Sequence, residues 1–533
     1  MPGVGQRGFD RLGGPGHHAV GDGQGVGDDR RDIPPGRRAR QTERGLQFGR
    51  IEFRLLSETF PETVCMYQQP AWRLISYGHA TPSAASSLAL ENTMADSGTF
   101  VPDGFATEDP RDIGSSFDEL RGAALRNPKA TSELLERYRA FSRDESDPAA
   151  PGATIEVVAT VDRLVVAGRL HVVTEHEERL DAALRQHNAG LEVIERDERI
   201  GVTLARTDLD LDTLGRLVHD LRTTPSGEEP VGVGFDDVTY EAVVIAKPIT
   251  PQGAGVDVIR VKHQSSRPHG TGRGAGVTVG VIDGGFAADD APPRTDGWFD
   301  NVKPPADGSP KLNQADPALL DPGAGHGTFV TGIIAAHAPD AMIVQYRATD
   351  SWGFGSAWRL KDQILQAVAD GCQVINISLG FEDTTLIGSP GISAALHTVP
   401  DDVLVVAAAG NSGSSTPMLP ASHKATVGVG GLDLDHDPVG WSNRGPWVDF
   451  SALAVPVLST FVVDPADPGG DPNPFGYWAG TSFAAPKVSG ELAVLLGAGR
   501  TPATALTELR ARGIRRAPSP DFGTLLDLPD QFR

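Results

Sequence analysis

Cysteine is almost absent: Cys65 and Cys372 are the only two in 533 residues. Two thiols can build neither a disulfide framework nor a structural zinc site. Cys372, just ahead of an apolar run, reads as a buried free thiol. Long apolar runs are missing too, and nothing approaches the roughly 18 consecutive apolar residues of a membrane span. Neither Met1-Pro-Gly-Val-Gly-Gln-Arg nor the stretch after Met94 has the apolar centre of an export signal. The expected location is therefore the cytoplasm, with secretion as the alternative. Basic charge is short as well: 47 Lys and Arg stand against 70 Asp and Glu, a net charge of -23. Binding to phosphate backbones needs the opposite balance, so neither nucleic acid nor a membrane is expected as a partner. No Asp cluster has clear metal-ligand spacing. Asp433-Leu-Asp-His-Asp437 reads as a solvated acidic turn, and no metal or cofactor is expected.

What the chain does contain falls into four parts. Residues 1–93 are rich in Gly, Arg and Asp and sustain neither a helical nor a strand period. Too little apolar surface is available there to offset chain entropy. Disorder is one expectation, and translation beginning at Met94 is the other. Residues 94–150 hold a helical segment, with apolar faces at Phe117, Leu120, Ala124 and Leu125 and at Leu134, Leu135, Tyr138 and Phe141. The linker Asp147-Pro-Ala-Ala-Pro-Gly follows. Residues 151–250 read as strand, helix, strand, strand, helix, strand, with the last strand near 239–246; this is the order of a split βαβ, ferredoxin-like α+β unit. From 256 to 533, short apolar strands alternate with amphipathic helices, the pattern of a parallel sheet covered on both faces.

Three segments of this last part carry chemistry. Val277-Thr-Val-Gly-Val-Ile-Asp-Gly-Gly is a buried strand ending in Asp283, and function in such sheets collects at strand carboxyl ends. Gly325-His-Gly-Thr-Phe-Val-Thr-Gly puts His326 at a helix start among small residues. Ala479-Gly-Thr-Ser-Phe-Ala-Ala-Pro puts Ser482 before a helix, with Pro486 expected in the first turn. Each has an ordinary explanation alone: a strand end, a surface histidine, a helix cap.

Together, in the order Asp, His, Ser, they resemble the subtilisin-like serine peptidases, the subtilases. Val374-Ile-Asn-Ile-Ser-Leu-Gly resembles the family's substrate-binding strand, and Val405-Val-Ala-Ala-Ala-Gly-Asn-Ser-Gly its oxyanion segment. Trp441-Ser-Asn-Arg-Gly-Pro-Trp-Val-Asp-Phe, continuing to Leu458-Ser-Thr, resembles the stretch before the nucleophile. The resemblance covers about residues 256–500 and implies a three-layer α/β catalytic domain. It also implies a serine endopeptidase with Ser482 as nucleophile, His326 as base and Asp283 orienting it. Asn411 and the Ser482 N–H would receive the oxyanion. Peptide would lie as an added strand between Gly353-Phe354-Gly355 and Ser378-Leu379-Gly380. Met418 would floor the first specificity pocket, which implies an apolar or small residue on the acyl side of the cut.

Two features depart from the pattern. The residue after the Asp is often Thr or Ser in the family, and here it is Gly284. The connection after the His326 helix is too short for the calcium loop of secreted relatives. Residues 151–250 resemble the subtilisin propeptide, which implies intramolecular inhibition. Two other readings share the groove: an inactive peptide-binding protein, and an acyl-transferring ligase or cyclase.

Overall fold

The computed structural model describes residues 155–158, 163–223, 229–241, 258–261, 263, 265–286, 294–308, 320–321, 323–384, 388–463, 470–514, 520–528 and 532. The readings of 1–93, of the helices at 110–145 and of the linker at 147–152 lie outside these residues.

The N-terminal part is an antiparallel α+β region. Strands β1 (Ile155–Val158) and β2 (Arg163–Val173) form a hairpin. A single 3-10 turn leads into α1 (Glu177–Arg185). Then come β3 (Glu192–Asp197), β4 (Val202–Arg206), α2 (Leu211–Arg222) and β5 (Val233–Glu241). The strands pair antiparallel in the order β5-β2-β4-β3. Leu180, Leu184, Leu214 and Val218 of the helices close over Val165, Leu170, Val172 and Phe235. The Asp210 side chain accepts the Thr213 N–H and starts α2, a cap whose loss costs ~1 kcal/mol.

The last strand, Val233–Glu241, starts earlier than the expected 239, and residues 242–246 of that expectation lie outside the described residues. The reason for the earlier start is the pair Asp236-Asp237, which reads as a turn. Both are buried: Asp236 meets Arg169 and His171, and Asp237 meets Arg163. Charge that is paired inside breaks the period-2 pattern without breaking the strand.

Beyond β6 (Ile259–Val261) lies the parallel α/β part. Its elements are β7 (Thr278–Asp283), β8 (Val302–Lys303), α3 (His326–His337) and β9 (Met342–Arg347). Next come β10 (Phe354–Ser356), α4 (Ala357–Ala369), β11 (Val374–Ile377), β12 (Leu379–Glu382) and α5 (Pro390–His397). Then follow β13 (Leu404–Ala408), β14 (Met418–Leu419), β15 (Thr426–Leu432), β16 (Val448–Leu453), β17 (Val457–Thr460) and β18 (Phe475–Trp478). The helices α6 (Thr481–Gly497) and α7 (Pro502–Ala511) precede β19 (Thr524–Leu525).

Eight strands make one parallel sheet, ordered β19-β16-β15-β13-β11-β7-β9-β8. One face carries α3 and α6, with Phe329, Ile333, Val488 and Leu492 against Val279, Val281 and Val406. The other carries α4 and α5, with Leu360, Ile364 and Ile392 against Ile282, Ile375 and Ile377. Burial on both faces explains why these strands read as unbroken apolar runs. No helix among the described residues is long and apolar enough to cross a membrane.

Candidate active site

Asp283 closes β7 at the carboxyl edge of the parallel sheet, and the Gly284 N–H donates back to its Oδ1 at 2.8 Å. His326 is the first residue of α3. Gly325 before it sits at φ 85°, and a Cβ there would stand 2.6 Å from the Phe461 ring, so glycine is required on both counts. The chain thereby delivers the imidazole to Asp283, where Nδ1 donates to Oδ1 at 2.8 Å, both side chains fully buried. With Nδ1 so engaged, the ring's other nitrogen, Nε2, has no hydrogen-bond partner. Trp478 and Phe483 pack on the ring with centroids at 5.6 and 5.3 Å.

Ser482 is the second residue of α6 and is buried. Its Oγ donates to the Ser378 carbonyl at 3.0 Å rather than to His326. The Ser482 carbonyl in turn accepts from Ser378 Oγ at 2.9 Å. Because α6 begins at Thr481, Pro486 lies past the first turn, not in it as expected. A proline has no N–H for the carbonyl four residues earlier, which is that of Ser482. Ser378 supplies the missing donor. Its own oxygen is held by Asn376 Nδ2 at 2.9 Å, and Asn376 Oδ1 accepts from Ser489 at 2.9 Å. This buried network bolts the start of α6 to β11.

Asn411 follows β13, next to Gly410. Its Oδ1 accepts from the Thr481 N–H at 2.8 Å and the Thr481 hydroxyl at 2.9 Å. The Gly410 N–H returns a bond to Thr481 Oγ1 at 3.0 Å. With its oxygen committed to Thr481, the amide presents its NH2 on the opposite side.

The two segments expected to flank a peptide lie on either side of the protein's own β5. Phe354, Gly355 and Ser356 pair antiparallel with Tyr240, Thr239 and Val238. On the other side Leu379 pairs with Glu241 and Gly380 with Tyr240. The Glu241 N–H donates to the Gly353 carbonyl at 2.9 Å. Met418 is buried in β14 and packs toward Gly380 and Gly410.

Sequence reasoning missed Glu241. Its side chain is fully buried, with Oε2 3.9 Å from His326 Nδ1. Thr349 Oγ1 donates to its Oε1 at 2.5 Å. Burial pushes the Glu241 carboxyl up to about 8, with Asp283 and Asp350 adding to the effect and His326 opposing it. Burial lowers the His326 imidazole, but the carboxyls of Asp283 and Glu241 outweigh it and leave it raised. The only hint in the sequence was Gly284, where the family often carries a hydroxyl. Asp283, Glu241 and His326 offer ligand atoms within 4.8 Å of one another, a spacing that would suit a metal. Here the imidazole can supply the positive charge between the two carboxyls.

A family model described as Subtilase family matches residues 274–523. The thermophilic serine proteinase of Bacillus sp. (strain AK1) is 36% identical over 198 residues, covering 35% of this chain and 46% of the relative. Subtilisin E of Bacillus subtilis is 33% identical over 241 residues, covering 42% and 56%. Subtilisin DY of Bacillus licheniformis is 31% identical over 258 residues, covering 45% and 83%. The chain thus spans about half the length of the first two relatives and most of the third.

Proposed function

Since the chain belongs to the subtilase family, we propose that it is a serine endopeptidase whose groove is blocked by its own N-terminal region. The observation that carries this reading is β5, an extended segment lying between β10 and β12 beside the Asp283–His326 pair. A substrate would take the same place. His326 Nε2 accepts the Ser482 hydroxyl proton as Oγ attacks the carbonyl carbon. The Asn411 amide and the Ser482 N–H stabilise the resulting oxyanion. The proton passes to the leaving amine, and the C–N bond breaks. A water molecule, deprotonated by the same histidine, then releases the acid and regenerates Ser482. Asp283 holds the imidazole in the tautomer this requires.

In the blocked state Ser482 bonds Ser378 instead, a geometry that substrate entry would tighten. The antiparallel order of β5, β2, β4 and β3 supports reading residues 151–250 as a ferredoxin-like, propeptide-like inhibitor. The uncharged Met418 side chain, buried in β14, supports a small or apolar residue on the acyl side of the cut.

The test is labelling of the full chain by a serine-directed fluorophosphonate, with hydrolysis of casein measured in parallel. Both should be present in the wild type and absent in Ser482→Ala. An unlabelled wild type would favour a peptide-binding protein without activity. Product masses carrying an added amine in place of water would favour acyl transfer.

A further inference from the structure

Where the family often has a hydroxyl-bearing side chain after the catalytic Asp, Gly284 leaves a recess, and that recess is full. A Cβ at position 284 would stand 2.6 Å from Glu241 Oε1, and one at Gly323 or Gly353 would stand 2.9 or 3.1 Å from Oε2. Three separate chain segments thus go without a side chain where this one carboxyl lies. Gly353 is also at φ 82°. A fourth contribution is a donor, the Thr349 hydroxyl on Oε1. Two buried oxygens, Asp283 Oδ2 and Glu241 Oε2, have no hydrogen-bond partner.

Register states which substrate position this is. Glu241 lies opposite Leu379, and the next residue on the β12 side is Ser378, whose carbonyl accepts the Ser482 hydroxyl. In an antiparallel pair, one step forward on a bound peptide is one step back on its partner. A substrate residue opposite Ser378 would therefore present its carbonyl to Ser482. The residue before it would occupy the place of Glu241.

We propose that Gly284, Gly323, Gly353 and Thr349 form a subsite that selects glutamate or glutamine as the second residue on the acyl side of the cut, with Glu241 as its resident occupant. This rests on the peptidase reading and names part of its substrate class. An aliphatic side chain here would leave the Thr349 hydroxyl without its acceptor and bury methyl groups against the Asp283 carboxyl, a mismatch that polar recognition sites punish heavily. A lysine would bring a second buried cation beside His326. An aspartate would fall one methylene short of Thr349.

The full chain, incubated until casein hydrolysis reaches a constant rate, is given quenched peptides that differ only at that second position. For Glu and Gln peptides kcat/KM should exceed that for Leu and Lys peptides at least tenfold. Gly284→Ser should reduce the Glu-to-Ala ratio at least tenfold within the same enzyme. Equal turnover of Leu and Glu peptides, or an unchanged ratio in Gly284→Ser, overturns the assignment. If neither casein nor any peptide is cut, the peptidase reading fails, and the recess is judged without turnover. In the full chain carrying Ser482→Ala, Glu241→Gln should keep the position 241 amide slow in hydrogen exchange, while Glu241→Leu should speed it at least tenfold. Equal exchange in those two variants also overturns the assignment.

Discussion

Glu241 Oε2 lies 3.9 Å from Nδ1 of His326, the ring nitrogen that Asp283 Oδ1 already engages at 2.8 Å. Two carboxyls therefore share one imidazole in a site closed to water. The groups facing Glu241 are Asp283 from β7, His326 from α3, and Thr349 and Asp350 from the loop after β9. Docked, its carboxyl is pushed up to about 8, whereas an exposed glutamate titrates near ~4.3. The docked state thus holds a proton that the released strand gives up. Docking is strongest below about pH 4.3, weakens by up to tenfold per unit above it, and loses this contribution as pH rises through about 8. Glu241→Gln removes the titration while keeping the shape. Fluorophosphonate labelling of the full chain should accelerate between pH 5 and 8 more steeply in the wild type than in Glu241→Gln. His326 titrates in both, so parallel slopes would count against the linkage.

Asn411 and Thr481 should separate catalysis from positioning. On the proposed mechanism Asn411→Ala removes an oxyanion donor, and kcat should fall roughly 10²–10³-fold with KM little changed, the magnitude such a donor supplies in subtilisin. The Thr481 hydroxyl helps hold the Asn411 amide by a 2.9 Å bond to its Oδ1. Thr481→Val leaves the backbone N–H on Oδ1 but frees the amide to swing, so kcat should fall by about tenfold. Thr481→Ser, which keeps the hydroxyl, should restore it. A Ser variant as slow as the Val variant would mean that the methyl packing matters instead.

Ser378 and Pro486 form a compensating pair. The carbonyl of Ser482 has no helical donor because of Pro486, and Ser378 Oγ provides one at 2.9 Å. Ser378→Ala leaves a buried acceptor and the Asn376 amide short of a partner, which should cost ~1–3 kcal/mol. Adding Pro486→Ala restores an N–H to α6 and should recover part of that loss. Thermal denaturation of Ser482→Ala chains carrying these changes measures both steps without self-digestion. Additive losses in the double variant would show that the proline does not govern this carbonyl.

The parallel sheet was legible because its strands are buried on both faces, so β7, β11 and β13 are plain apolar runs. The N-terminal region was legible in its order of elements but not at β5, where the paired charges at Asp236 and Asp237 imitate a turn. Asp283, His326, Ser482 and Asn411 stood out because each lies in a dense local motif. Glu241 could not, since nothing in Val-Thr-Tyr-Glu marks it; its meaning comes from residues more than forty positions away. Gly284 was visible as a departure from the family pattern. Its steric role needed the partner that fills the space. Pro486 was misplaced by one turn because the helix start was taken after Ser482 instead of before it.

The seat of the N-terminal region on α4 should respond unequally to the loss of either member of one ion pair. Lys361 Nζ is fully buried, 2.8 Å from Asp197 Oδ2 and 2.7 Å from Asp362 Oδ1, and lies 3.6 Å above the Trp358 ring. Asp197 keeps a second partner in Arg199 at 2.7 Å, and Arg199 and Lys361 together hold its carboxyl well below the usual range. Lys361→Met preserves the aliphatic stem over Trp358 and leaves Asp197 paired with Arg199. Asp197→Ala strands a buried ammonium with Asp362 as its remaining carboxylate, and breaking a buried pair from one side is the costly direction. Fluorophosphonate labelling of the full chain, which requires β5 to leave the groove, should accelerate at least tenfold in Asp197→Ala but less than threefold in Lys361→Met. Combining the two should return the rate toward that of Lys361→Met, because the stranded charge is gone. If the double variant labels faster than Asp197→Ala alone, the pair stabilises docking by direct attraction and burial of the ammonium is not the dominant cost.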